Sequence, residues 1–309
     1  MSFQLGKNIT ATVTYYDVMD YPLTSFEIWK HLIEYESEQA GQPSTFSDIW
    51  DILHSQQLAE RITERDGLYC LKGRESLIEE RIRRDKLSVR KLKRMRTLVS
   101  WLRFLPYLRM IGATGSLSMK HGERGSDWDM FVVLQAGRMF LGRTILTGFL
   151  HLIGKRRHGK WISNRACLNY FVTDDSLEIG TKDLFSAHEY RFLIPLLSFA
   201  TYQRFERVNH WMKRYKPNHE ATLISPRWSV PESATMKYWQ VRLESLIDRF
   251  PLENWLASWQ IKKIARNPKT QVEGSLIQAT SQALVFLPRP RGPRVFDAFK
   301  QRLRERIPL

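Results

Sequence analysis

Asp127 and Asp129 stand two residues apart at the head of an apolar run, Met130-Phe-Val-Val133. The run has the composition of a buried strand, and alternate residues of a strand share a face. The two carboxylates therefore point the same way, near one edge of a sheet. Paired acids beside an apolar core repel each other unless a cation separates them, and for two hard oxygen ligands that cation is Mg²⁺. Upstream, across a ten-residue gap, lies the small-residue turn Gly115-Ser116. Its backbone N–H groups and hydroxyl suit phosphate oxygens. Together the two stretches describe a site for a nucleoside triphosphate and its metal.

The glycine-serine turn, the gap and Asp127-x-Asp129 running into a hydrophobic strand resemble the signature of the nucleotidyltransferase superfamily with the DNA polymerase β-like fold. Tyr21-Pro-Leu-Thr24, Ser126-Asp127-x-Asp129, Ala166-Cys-Leu-Asn-Tyr170 and Ala187-His-Glu189 resemble a bacterial branch known as nucleotidyltransferase domain proteins. The resemblance implies an α+β fold in which a polymerase β-like sheet with helices follows a small winged-helix-like domain and precedes a helical C-terminal region. It implies Mg²⁺-dependent transfer of a nucleoside monophosphate from an NTP, with ATP expected, to a hydroxyl of an acceptor. Asp127 and Asp129 would hold the metal, and Gly115 and Ser116 the β/γ-phosphates. Catalytic members carry a third carboxylate on a later strand. Here the matching strand offers Asn169, whose amide oxygen can coordinate Mg²⁺ but cannot act as a general base. Two other classes stay open: a catalytically weakened protein of the same fold that binds nucleic acid or a protein partner, and a small-molecule adenylyltransferase.

Four regions are expected to position these residues: a winged-helix-like domain at 1–73, a basic connecting helix at 74–105, a nucleotidyltransferase core at 106–215 and a helical region with a basic tail at 216–309. In the first, Thr24 or Ser25 caps a helix through Ile33, and Ser47-Asp48 starts a second after a polar segment at 36–45. Ile62 to Glu64 and Leu68 to Leu71 flank an Asp66-Gly67 turn, the order of a winged helix. The would-be recognition helix has acids and no cation, so packing or contact with a protein partner is the better reading for this domain.

From about Glu75 to Phe104 a helix is expected, and within it Arg81 to Arg96 carries nine Lys or Arg. The run reads either as a solvated face or as a phosphate-contacting one, and the scarcity of balancing acids favours the second. After the acid pair a helix spans Arg138 to Ile153, where Arg138 and Arg143 either reach a triphosphate or are ordinary surface arginines. Gly154 to Lys160 is a glycine-flanked basic loop, open to either a substrate-binding or a surface role. A strand follows over Arg165 to Thr173. Lys182 to Tyr215 is expected to be helical with a kink at Pro195, and His188 and Glu189 read best as packing residues. A linker at 216–231 precedes amphipathic helices at 236–250 and 255–264, with Trp239, Trp255 and Trp259 expected in the core. The Pro288 to Arg294 stretch is expected to be extended and basic, before a final helix from Val295 to Ile307.

Composition agrees with a nucleotide or nucleic-acid partner. Lys and Arg number 48 against 32 Asp and Glu, a formal net charge of +16 in 309 residues. Such an excess favours a polyanion, RNA ahead of DNA, although a basic solvated surface has the same composition. Hydrophobic residues at 43% are enough for a packed core. Cys70 and Cys167 show no metal-binding spacing and read as reduced and buried, which suits the cytoplasm. No signal pattern or membrane-length apolar run occurs, so no membrane partner is expected.

Overall fold

The structure is a computed structural model describing residues 2–34, 43–219 and 226–306. Most of the polar segment at 36–45, part of the linker at 216–231 and the last three positions fall outside the described residues.

The chain opens with α1 (Ser2–Asp17), β1 (Leu23–Thr24), α2 (Ser25–Lys30), α3 (Phe46–Leu53), β2 (Ile62–Arg65) and β3 (Leu68–Leu71). Local chemistry sets these boundaries. The Thr24 hydroxyl accepts from the Glu27 N–H while the Glu27 carboxylate accepts from the Thr24 N–H, and Thr45 and Asp48 repeat the arrangement for α3. Asp66 and Gly67 both have positive φ, the conformation that turns a tight hairpin. The strands form an antiparallel sheet in the order β1-β3-β2.

The larger sheet follows α4 (Ser76–Leu102). It is built from β4 (Leu108–Ala113), α5 (Gly115–Ser118), β5 (Trp128–Leu134), α6 (Met139–Leu152), β6 (Ala166–Thr173), α7 (Leu184–Arg191), β7 (Ile194–Leu197), α8 (Phe199–Val208), α9 (Ala234–Ile247), α10 (Leu252–Ala265), β8 (Leu276–Ala279), β9 (Ala283–Leu287) and α11 (Gly292–Arg306). Six strands run in the order β7-β4-β5-β6-β9-β8, with β5 and β6 parallel and the other pairs antiparallel. The fold is α+β. β5 is covered on both faces, which is why its apolar run does not alternate with polar residues. Met130, Val132 and Leu134 pack with Met95 of α4 and Leu146 of α6. Phe131 and Val133 pack on the other side with Tyr202 and Phe205 of α8.

Four sequence expectations are corrected. The stretch from Lys182 to Tyr215 is not one kinked helix: Pro195 sits in β7, an edge strand, where a residue without an N–H is tolerated. The C-terminal region is not purely helical, because β8 and β9 complete the large sheet, which therefore crosses the boundary expected after 215. Pro293 lies in the first turn of α11, a position that needs no N–H donor, so the helix starts earlier than the prolines suggested. Trp239, Trp255 and Trp259 are outside the core, at 55%, 66% and 50% exposure. Among the described residues no helix is long and apolar enough to cross a membrane.

The basic run of α4 divides between internal scaffold and exposed cations. Arg81 is buried and donates to the Tyr21 hydroxyl at 2.7 Å and Glu27 at 3.1 Å. Tyr21 donates in turn to the Met119 carbonyl at 2.8 Å, which ties the N-terminal elements to the loop after α5. Lys91 is buried against the Ser126 carbonyl and hydroxyl at 2.8 and 2.9 Å. Arg83 and Arg84 pair with Glu80, and Arg96 donates to the Trp228 carbonyl. Lys86, Arg90, Lys93 and Arg94 remain exposed. Replacing Arg81 or Lys91 with methionine should cost about 1–3 kcal/mol, because each leaves buried acceptors unmet. Arg90→Met should fall within roughly 0.5 kcal/mol of the parent. Urea denaturation of the three variants checks this; equal costs at all three positions would contradict it.

Candidate active site

β4 and β5 pair so that Ala113 lies opposite Met130, and the Thr114 N–H donates to the Asp129 carbonyl at 3.1 Å. This register brings the turn after β4 onto the acid at the start of β5. Gly115 has φ +66°, and a Cβ there would stand 2.5 Å from Asp129 Oδ2. Only glycine fits, on both conformational and steric grounds. The paired carboxylates and the glycine turn read from the sequence are thus in direct contact.

Neighbouring strands and loops then surround the acids. Asp129 lies opposite Cys167 of β6, and a register shift follows, so that Phe131 faces Tyr170. The extra residue of this bulge leaves Cys167 and Asn169 both beside Asp129. The Cys167 sulfur lies within 4.8 Å of the Asp129 carboxylate, and the Asn169 amide donates to Asp129 at 3.2 Å. Asn169 is therefore placed beside the acids, as expected, with its amide donating to Asp129. Asp127 is met by Arg157 at 2.6 Å, a residue of the basic loop after α6, and the same guanidinium lies 3.3 Å from Cys167 Sγ. That loop is joined to the start of β6 by a bridge between Arg156 and Ala166.

The site also contains a carboxylate that sequence reasoning left among packing residues. Glu189 of α7 accepts from the Gly115 N–H at 2.8 Å. Burial pushes its carboxyl up to about 7, with the nearby Asp129 charge adding to the rise. Burial, and then Asp127, push Asp129 up to about 6. Burial and the two aspartates raise the Cys167 thiol to about 12 and so keep it protonated. Three acids crowded this closely signal unmet positive charge.

A cavity of about 590 Å³ opens over this cluster, lined by Gly115, Asp127, Asp129, Asn169 and Glu189. Arg157 lies on one side, and Arg289 and Arg291 come from the segment before α11. The proline-arginine stretch was legible as basic, but nothing local in it pointed to the acids 160 residues earlier in the chain. Ser116 does not line the cavity. Arg138 and Arg143 are also elsewhere, which corrects their expected phosphate role. Arg138 donates to Asp248 at 2.9 Å, while Arg143 bonds Gln260 and lies 4.8 Å from the Phe286 ring centre. Arg138 is the N-cap residue of α6 and is tied to the end of α9, while Arg143 lies within α6 and is tied to α10.

The donors suit a hard divalent cation. Ligand atoms of Asp127, Asp129 and Cys167 lie within 4.8 Å of one another. The two carboxylates match Mg²⁺, whereas a protonated thiol is a poor partner for it. The chain matches no protein family profile, no curated protein and no solved structure.

Two outcomes are expected. Gly115→Ala should displace the Asp129 carboxylate and cost roughly 1–3 kcal/mol from the left-handed backbone alone; a melting temperature equal to the parent would contradict the contact. Asp129 and Glu189 both bind a proton more tightly folded than unfolded. The stability they contribute is thus full below the usual carboxylate range and is lost as pH rises through about 6 and about 7. Mg²⁺ should recover it, so that calorimetry shows a larger cation-induced rise in Tm at about pH 8 than at about pH 5. Asp129→Asn should abolish the difference.

Proposed function

We propose that the chain is a Mg²⁺-dependent nucleotidyltransferase, moving a nucleoside monophosphate from an NTP to a hydroxyl of a nucleic-acid acceptor, RNA favoured. The observation that carries this reading is the contact of the Gly115 turn with Asp129 beneath a cavity that has acids on its floor and Arg289 and Arg291 on its wall. The polymerase β-like sheet and a winged-helix-like N-terminal module belong to the same proposal. It is supported by strand order and by the hairpin that follows two capped helices.

Asp127 and Asp129 would hold Mg²⁺, which when bound neutralises charge on the triphosphate as pyrophosphate leaves. Arg157 now neutralises Asp127, and it must share or release that oxygen for a metal to bind. The Asn169 donor keeps Asp129 oriented toward the cavity. Arg289 and Arg291 supply cations for phosphate oxygens. In the transfer, the acceptor oxygen bonds the α-phosphorus while the bond to pyrophosphate breaks. The acceptor proton passes to a base, and Glu189, a cavity carboxylate not assigned to the metal, is available to take it. This acid arrives from a helix, in place of the strand carboxylate that Asn169 replaces. ATP is the expected donor.

One observation favours a second reading, a nucleotide-binding module without catalysis. Asp127 and the Gly115 N–H each already have a protein partner, Arg157 and Glu189. The two readings differ in product. Incubation with each radiolabelled NTP and total cellular RNA, DNA and protein should label RNA in a Mg²⁺-dependent way, and Asp127→Ala with Asp129→Ala should abolish the label. Arg289→Gln with Arg291→Gln should raise KM for the NTP roughly ten-fold while the protein stays folded. Labelling that survives the double aspartate change would sink the assignment. Binding of Mg²⁺ and ATP without any product would select the second reading.

A further inference from the structure

The exposed charges of α9 and α10 without an ion-pair partner are of one sign, because the acids of this region are already partnered. Glu244 accepts from the Tyr107 N–H at 2.7 Å and pairs with Arg109 at 2.9 Å. Asp248 takes the Tyr107 hydroxyl and Arg138. Glu253 accepts the Phe140 and Leu141 N–H groups, each at 2.9 Å, at the start of α6. Arg242, Arg249, Lys262, Lys263 and Arg266 are left exposed, with no carboxylate partner among the described residues.

Exposed rings alternate with these cations along the helices. On α10, Trp255, Trp259, Lys263 and Arg266 recur at intervals of three or four residues and therefore share one face. On α9, Tyr238 and Arg242 are four residues apart and share a face. The Lys263 ammonium lies 4.8 Å from the Trp259 ring centre, and the Arg242 guanidinium 5.2 Å from that of Tyr238. Flat rings with cations at their sides match a single-stranded nucleic acid, whose bases stack on aromatics while its phosphates meet the charges. A membrane-surface helix instead separates a continuous apolar face from a basic one. Here rings and cations share a stripe.

We propose that the face of α10 carrying Trp255, Trp259 and Lys263 binds single-stranded nucleic acid and thereby holds the acceptor strand. The strand's identity as acceptor rests on the proposed transferase activity; its binding does not. None of these residues lines the acidic cavity, so the two claims can fail separately.

The test is fluorescence anisotropy of a labelled oligouridylate with the full chain and no NTP. Trp255→Ala and Trp259→Ala should each weaken binding roughly five-fold or more, and the matching Phe variants should retain most of it. Because both rings are exposed, Tm should not move, which separates lost contact from lost folding. Lys262→Gln with Lys263→Gln should flatten the dependence of affinity on salt, by roughly 0.7 in slope for each phosphate contact removed. Unchanged affinity in the double tryptophan variant would overturn the proposal. So would equal affinity for a duplex, or preferential binding to phosphatidylglycerol vesicles. Mg²⁺–ATP binding, measured on the wild-type chain and the same variants, reports on the cavity alone: its absence throughout would count against the transferase reading and not against this surface.

Discussion

The position of Gly115 against the Asp129 carboxylate constrains everything around it. Two adjacent strands must hold a register that brings a backbone turn within 2.5 Å of where a side-chain oxygen sits, measured from a virtual Cβ. Only a residue without a side chain and with positive φ can occupy that turn. The register depends on β5 being covered on both faces, since a slip of one residue would send Phe131 and Val133 to the wrong side of the sheet. Burial of β5 therefore fixes the acids as well as stabilising the sheet. The cost is electrostatic: Asp129 and Glu189 both sit above the usual carboxylate range, and Arg157 is the nearest compensating charge on Asp127.

The rest of the chain closes around that point. The C-terminal strands extend the sheet beyond β6, and the segment after β9 then carries Arg289 and Arg291 to the cavity. α11 continues to the N-terminal elements, where Phe299 and Leu303 join their apolar cluster and Arg302 pairs with Asp17, which Arg74 also bonds. From the other direction, Tyr21 and Arg81 link those same elements to the loop after α5. The N-terminal module is thus part of the support for the site, whatever partner it meets.

How much of this was legible in the sequence follows from the range of the interactions. The acid pair, the glycine turn, the Thr24 cap and the tight hairpin are local patterns readable from residue type and spacing, whereas the second helix was expected to start at Ser47-Asp48 and is capped by Thr45 instead. Glu189, Arg157 and Arg291 reach the acids through tertiary packing, and no local signal marks that meeting. Arg138 and Arg143 were misplaced because nearness in sequence stood in for nearness in space. The basic run on α4 was legible only in part: a stretch of cations does not disclose that Arg81 and Lys91 point inward to a tyrosine, a glutamate and backbone carbonyls. Trp255 and Trp259 were assigned to the core by size and apolarity, yet a large ring is equally suited to a surface that meets another ring. Pro195 looked like a helix break because an edge strand with a proline has no sequence signature of its own.

The central claim is that Asp127 and Asp129 bind a metal that also touches a triphosphate. Electron paramagnetic resonance of Mn²⁺, used in place of Mg²⁺ and titrated into the chain with a non-hydrolysable ATP analogue, tests it most directly. The account predicts that Mn²⁺ is immobilised only when chain and nucleotide are both present, with phosphorus coupling in its spectrum, and that Asp129→Asn releases it. A Mn²⁺ signal indistinguishable from that of the nucleotide complex alone, with or without Asp129, would contradict the account.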